Sequence, residues 1–96
     1  MQEICYWKDN SGKEVDFLIK EGLKVKQLIQ VCYDIENTEV KAREIKSLLK
    51  ASRELNCKDL LVVTWNFEKE EKIEDKKIRF ISLGKWLLEG KDEFLY

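Results

Sequence analysis

The sequence predicts an α/β domain with a mixed central β-sheet flanked by helices, in the order β-β-β-α-β-β-α. Three observations predict it. The N-terminal third alternates strand-like segments with turn signals at Asp9-Asn10-Ser11-Gly12 and Glu21-Gly22. Such clusters break strands because Asn and Gly tolerate positive φ. Next comes a helical stripe, Ile45, Leu48, Leu49, Ser52 and Leu55, at spacings of three and four. Then Leu60-Leu61-Val62-Val63-Thr64-Trp65 forms a short apolar run of the kind buried on both faces of a sheet.

Glu3 to Lys8, rich in Ile, Tyr and Trp, reads as a first strand, and Glu14 to Lys20 as a second. Leu23 to Tyr33 reads as a third, with an apolar centre at Leu28-Ile29 and Val31-Cys32-Tyr33. Asn37-Thr38 offers a helix N-cap with Glu39 in the first turn, and Asn56 a C-cap. The strand over Asp59 to Trp65 follows a helix, so it is expected to lie parallel to a neighbour. Phe67 to Lys77 is expected to be a charged hairpin or loop, and Lys77 to Ile81 the last strand. Ser82 then caps a short helix with Leu83, Trp86 and Leu87 on one face, and Trp7, Trp65 and Trp86 read as core or interface aromatics.

Ninety-six residues make one domain, 1–96, with 44% hydrophobic and 39% charged residues, a composition that can bury a core. The net charge of -1, from 18 basic and 19 acidic residues, gives no global attraction to nucleic acid or an anionic membrane. No apolar run reaches the ~20 residues that span a bilayer, and Met1-Gln2-Glu3-Ile4-Cys5, with neither a basic nor an apolar region, does not read as a signal peptide. The three cysteines, Cys5, Cys32 and Cys57, lack metal-ligand spacing and read as reduced thiols, so a cytoplasmic location is expected. Histidine is absent, which excludes Ser-His-Asp and Cys-His machinery. The four glycines are isolated, so the chain has no phosphate loop.

Acidic residues come first among candidates for chemistry. Glu14 and Asp16 are two apart on the second strand and so share a face. Asp16 sits within an apolar run, where an acid is unusual. They could hold a hard cation such as magnesium, which needs one or two carboxylates, or be a solvated strand end. Gln30, Cys32 and Asp34 repeat the spacing on the third strand. Gln30 could offer a carbonyl oxygen but no charge, and Cys32 reads more simply as a small buried hydrophobe than as a nucleophile. On the helix, Arg43, Lys46, Lys50 and Arg53 form a basic stripe. The stripe could neutralise phosphates of DNA, or lay its stems over the core edge.

Tyr6-Trp7-Lys8, Gly12-Lys13-Glu14-Val15-Asp16-Phe17 and Ile29-Gln30-Val31-Cys32-Tyr33-Asp34 together resemble the C-terminal domain of many prokaryotic, especially archaeal, ATPases of the AAA type. That family is marked by a Tyr-Trp pair, a Glu-Val-Asp-Phe strand and a Glu-Val-Lys strand. The resemblance runs from about Glu3 to Leu88. It implies a restriction-endonuclease-like, PD-(D/E)XK fold without the family's first helix, placed at the C-terminal part of a longer ATPase. It further implies a site in which two acids hold magnesium and a lysine orients water. By position, Asp16 matches the first acid, Gln30 the second and Cys32 the lysine. Gln30 lacks the negative charge and Cys32 the positive one. Lys20, Lys24 or Lys26 would have to stand in for the lysine.

The leading expectation is therefore a non-catalytic, nuclease-like accessory domain with no cofactor. Its partners would be the ATPase domain, DNA or a second copy in a homodimer, with no membrane. One competitor is a magnesium-dependent endonuclease with a rearranged site using Asp16, Glu14 and Asp34. Another is an oligomerisation or protein-interaction module.

Overall fold

The computed structural model describes the backbone of residues 2–94 and the side chains of residues 2–89. It contains β1 (Gln2–Lys8), β2 (Glu14–Glu21), β3 (Lys24–Val31), α1 (Thr38–Leu55), β4 (Leu60–Thr64), β5 (Lys69–Ile73), β6 (Lys76–Ser82) and α2 (Leu83–Phe94). The strands form one six-stranded mixed sheet in the order β1-β2-β3-β4-β6-β5. β1, β2 and β3 are antiparallel neighbours. β4 is parallel to both β3 and β6, and β5 closes the far edge antiparallel to β6. The α/β class and mixed sheet are those the sequence predicts.

α1 forms where its caps and stripe place it. The Asn37 side chain accepts from the N–H groups of Glu39 and Val40, both at 3.1 Å, satisfying two donors that the helix itself leaves free. Asn56 ends the helix in the left-handed region at φ 52° and returns its N–H to the Ser52 carbonyl. Ile45, Leu48, Leu49 and Ser52 are buried against the sheet, together with Ser47 and Ala51.

Each face of the sheet has its own core. Toward α1 lie Val15, Leu18, Leu28, Cys32, Leu60, Val62, Ile78 and Phe80. On the opposite face lie Ile19, Ile29, Leu61, Val63 and Ile81, with Leu83 and Trp86 of α2 packed on them. β4 alternates between the two cores and is buried at every position. Its continuous apolar run follows from that, since neither face meets water.

The structure departs from the sequence expectation in four places. Phe67 to Lys77 contains a full strand, β5, so the order is β-β-β-α-β-β-β-α. β5 is an edge strand whose Lys69, Glu70 and Lys72 face solvent. It therefore carries no hydrophobic period, and charge there deters further pairing. Its hairpin turns through Glu74 and Asp75, both at positive φ (50° and 65°), a two-residue turn that usually selects Asn-Gly. Second, β3 stops at Val31, so Tyr33 and Asp34 lie beyond the strand and stand exposed. Third, Trp65 is 66% exposed and packs edge-on against Tyr33, ring centres 6.3 Å apart. It lies outside both cores. Leu87, expected on the buried side of the last helix, is likewise exposed, while Ser82 caps α2 by accepting from the Lys85 N–H at 3.3 Å.

Among the described residues, no helix is long and apolar enough to cross a membrane.

Candidate functional site

The site begins where the β1–β2–β3 ladders become irregular. Cys5 pairs with Leu18 and Trp7 with Val15, so Tyr6 alone faces both Asp16 and Phe17. This is a β-bulge, and it shifts the side-chain alternation. Val15 and Leu18, three residues apart, consequently reach the same core. The β2–β3 pairing runs only as far as Phe17 opposite Ile29. Beyond it, side chains replace the backbone bonds. The Asp16 N–H donates to Gln30 Oε1 at 2.9 Å, and the Val31 N–H donates to Asp16 Oδ2 at 2.8 Å.

Gln30 is completely buried and spends its amide on three partners. Beyond the Asp16 N–H on its oxygen, Nε2 donates to the Glu14 carbonyl at 2.9 Å and to the Glu44 carbonyl at 3.2 Å. It thus ties β2, β3 and the middle of α1 together. Only a side chain with an acceptor on one arm and two donors on the other satisfies this set.

Beside the clamp, the β1–β2 turn, the start of β2 and α1 line an open groove of about 540 Å³. Glu14, Asp16, Arg43 and Lys46 are brought together here, with Lys13 and Glu44. Glu44 was not singled out by sequence reasoning; only the packing of α1 on β2 and β3 makes it a neighbour of residues 28 and 30 positions earlier. Burial pushes its carboxyl above the usual glutamate range. The Asp16 and Glu14 charges add to the rise, and Arg43 opposes it. The Tyr6 phenol is also raised, first by its hydrogen bond to Glu14, then by burial and the neighbouring charges of Glu14 and Asp16.

The other half of the basic stripe is not in this groove. Lys50 pairs with Asp9 and lies 3.9 Å from Glu54, and Arg53 lies 3.5 Å from Glu74. Among the described residues, Arg43 and Lys46 have no ion-pair partner within 4.0 Å. Asp9 also accepts from the Ser11 N–H at 2.9 Å, the Lys13 N–H at 2.8 Å and the Ser11 hydroxyl. It thereby fastens the β1–β2 turn, where Gly12 takes φ 90°, onto α1.

The three positions that the resemblance assigns to a magnesium site are engaged otherwise. Asp16 commits one carboxylate oxygen to the Val31 N–H. Gln30 commits its only oxygen to the Asp16 N–H. Cys32 is 3% exposed in the α1-side core. Burial, then the Glu44 and Asp34 charges, raise its thiol pKa, so it carries no charge where the resemblance implies a cation. Lys20, Lys24 and Lys26 do not line the groove, and Lys26 is 3.2 Å from Glu21. Among the described residues, no three His, Cys, Asp or Glu side chains converge as a metal cage.

A family model matches residues 1–86, nearly the whole of this arrangement. The chain belongs to the family described as "Domain of unknown function (DUF4143)". The DUF4143 match contains the bulge, the Gln30 clamp and the groove. The chain is also 39% identical over 92 residues to an uncharacterized protein of Methanocaldococcus jannaschii, a match covering 90% of this chain and 20% of that protein. The chain therefore spans about a fifth of the length of that curated relative. No solved structure matches it.

Proposed function

We propose that this DUF4143 domain is a catalytically silent, restriction-endonuclease-like accessory domain of an AAA-type ATPase, acting through binding rather than cleavage. The Gln30 clamp carries the reading. A buried amide holding two strands and a helix stands where the resemblance implies a metal-binding acid. A neutral core cysteine stands where it implies a lysine. The match to a fifth of a longer archaeal protein supports an accessory role. The groove favours a protein partner over DNA. Glu14, Asp16 and Glu44 share it with Arg43 and Lys46, so its carboxylates repel phosphate. Lys50 and Arg53 already hold carboxylates, and phosphate affinity needs uncommitted cations.

The test is a gel series with labelled duplex and branched DNA, with and without magnesium or manganese, beside an Asp16→Ala variant. Neither protein is expected to cut or to retard the DNA. Metal-dependent cleavage that Asp16→Ala abolishes overturns the silent-site reading. A salt-sensitive shift removed by charge reversal at Lys46 and Lys50 overturns the preference for protein.

A further inference from the structure

The groove beside the Gln30 clamp holds acids and bases in balance. Glu14, Asp16 and Glu44 share it with Lys13, Arg43 and Lys46. Opposite charges crowded together normally pair. Yet among the described residues none of these three cations lies within 4.0 Å of any carboxylate. The ion pair that Glu14 makes, at 3.8 Å, is with Lys8, which does not line the groove.

The charges are also sorted. After burial, the charges of Asp16 and then Glu14 raise the Glu44 carboxyl, and Arg43 offsets this only in part. The three acids therefore act on one another as a group between β2 and α1. Arg43 and Lys46 stand exposed, three positions apart and so on one side of α1. Ser47 adds a separate observation. It lines the groove and is only 6% exposed. The bonded serine and threonine hydroxyls are those of Ser11, Ser52, Thr64 and Ser82, and that of Ser47 is not among them. Every fully enclosed side-chain polar atom among the described residues has a partner. The Ser47 hydroxyl is therefore open, and the groove is what it opens to.

The groove's volume, about 540 Å³, falls in the ~300–1,000 Å³ range of ligand sites. Those are lined mainly by apolar groups, whereas this one is lined mainly by charge. An occupant of one sign would meet three like charges. An occupant carrying both signs can answer all six.

We propose that the groove receives an extended protein segment bearing an arginine beside an acidic residue, the guanidinium entering among Glu14, Asp16, Glu44 and the Ser47 hydroxyl and the acid meeting Arg43 and Lys46. Neighbouring side chains of an extended segment point opposite ways, so two adjacent residues of opposite sign reach both sides of the groove. A guanidinium holds five donors in a fixed fork, enough for three carboxylates and a hydroxyl. Asp16 keeps Oδ2 on the Val31 N–H and offers Oδ1. Ser47 follows Glu44 by three positions and so shares its side of the helix. This deepens the protein-binding reading and rests on it.

The experiment titrates the isotopically labelled 96-residue protein with the peptide acetyl-Ala-Arg-Glu-Ala-amide, followed by two-dimensional NMR. Two control peptides each lose one charge: citrulline replaces the arginine, or glutamine the glutamate. Saturable shifts at the Gly12, Glu44 and Ser47 amides are expected, with a dissociation constant of about 1–10 mM. Each control should bind about 3- to 5-fold more weakly, the upper part of what one exposed ion pair contributes. Glu44→Gln should lose most of the response to citrulline, and Arg43→Gln most of the response to glutamine, a coupling that the double-mutant cycle reads directly. The clamp uses the Glu44 backbone carbonyl, which both variants keep, and the same spectra show that each is folded. No saturable shift up to about 20 mM overturns the proposal. So does equal binding of the three peptides, a cycle without coupling, or magnesium chloride alone moving the same amides at the same concentration. Failure here leaves the accessory-domain reading standing, whereas DNA cleavage removes that reading whatever the peptides do.

Discussion

Gln30→Glu installs the acid that the resemblance implies, at the cost of one atom's identity. If the position is structural, the change is damaging. One carboxylate oxygen can keep the Asp16 N–H, but the other lands where Nε2 now donates to the Glu14 and Glu44 carbonyls, at 2.9 and 3.2 Å. Two hydrogen bonds at ~1 kcal/mol each are lost, and two buried carbonyls facing an anion add ~1–3 kcal/mol. About 3–5 kcal/mol is therefore expected at neutral pH. Protonation relieves part of this, because a neutral acid can donate to one carbonyl. The folded-state pKa of the new glutamate is thus raised above the unfolded value of about 4.3. In that window the native state binds the extra proton, so the variant's stability falls as pH rises from about 4.3 through the folded value and then levels. Urea unfolding at about pH 4.5 and about pH 8 measures it. With m on the order of 1–1.5 kcal/mol/M, the midpoint deficit should be on the order of 1 M at the acid pH and about 2–5 M at the alkaline one. Magnesium should move neither midpoint. A variant as stable as the wild type, or one whose lost stability magnesium returns, refutes the clamp argument and restores a metal site.

Two further outcomes are expected. Lys50, opposed by burial and helped by Ser11 and the Lys13 N–H, holds the Asp9 carboxyl well below the usual carboxylate range. Because the folded pKa is depressed, its contribution is present above about pH 4, the ordinary aspartate value, and is lost as pH falls through the lower folded value. Asp9→Asn should therefore lower the urea midpoint at neutral pH, with the gap from wild type closing as acid is added toward about pH 2. Among the thiols, Cys32 and Cys57 are buried, and burial is the first cause of their raised pKa values, whereas Cys5 is half-buried. A thiol reagent followed by mass spectrometry should modify Cys5 first in the native protein, and all three only in denaturant. Native labelling of Cys32 at the Cys5 rate would mean that the core over β3 opens readily.

α1 was fully legible because its signals are local. Asn37, Asn56 and the Ile45–Leu48–Leu49–Ser52 stripe act within one helix, and caps and periodicity do not need the rest of the protein. β4 was legible for a related reason, since a strand buried on both faces must be apolar throughout. β5 was not, because an edge strand owes its conformation to the partner beside it. Lys69, Glu70, Glu71 and Lys72 become a strand by pairing with Lys77 to Phe80, and nothing in a charged run announces that pairing.

The candidate site divides in the same way. Asp16 and Gln30 stood out in sequence as polar residues inside apolar runs; Gln30 is buried, whereas Asp16 is exposed. Glu44 did not stand out, being one acid among several on a helix; its neighbours Asp16 and Glu14 come from another element. The pairing of Lys50 with Asp9 across 41 positions, and of Arg53 with Glu74, was equally hidden. A stripe of cations on a helix looks the same in sequence whether its members are free or held. Sequence alone determined the α/β class, the helix with both its ends, the buried central strand and which polar residues were out of place. Only the tertiary structure decided what those residues do. A glutamine becomes a ligand, a relic or a brace according to which carbonyls and N–H groups lie within 3 Å or so of its amide, and those groups belong to segments that only folding brings together.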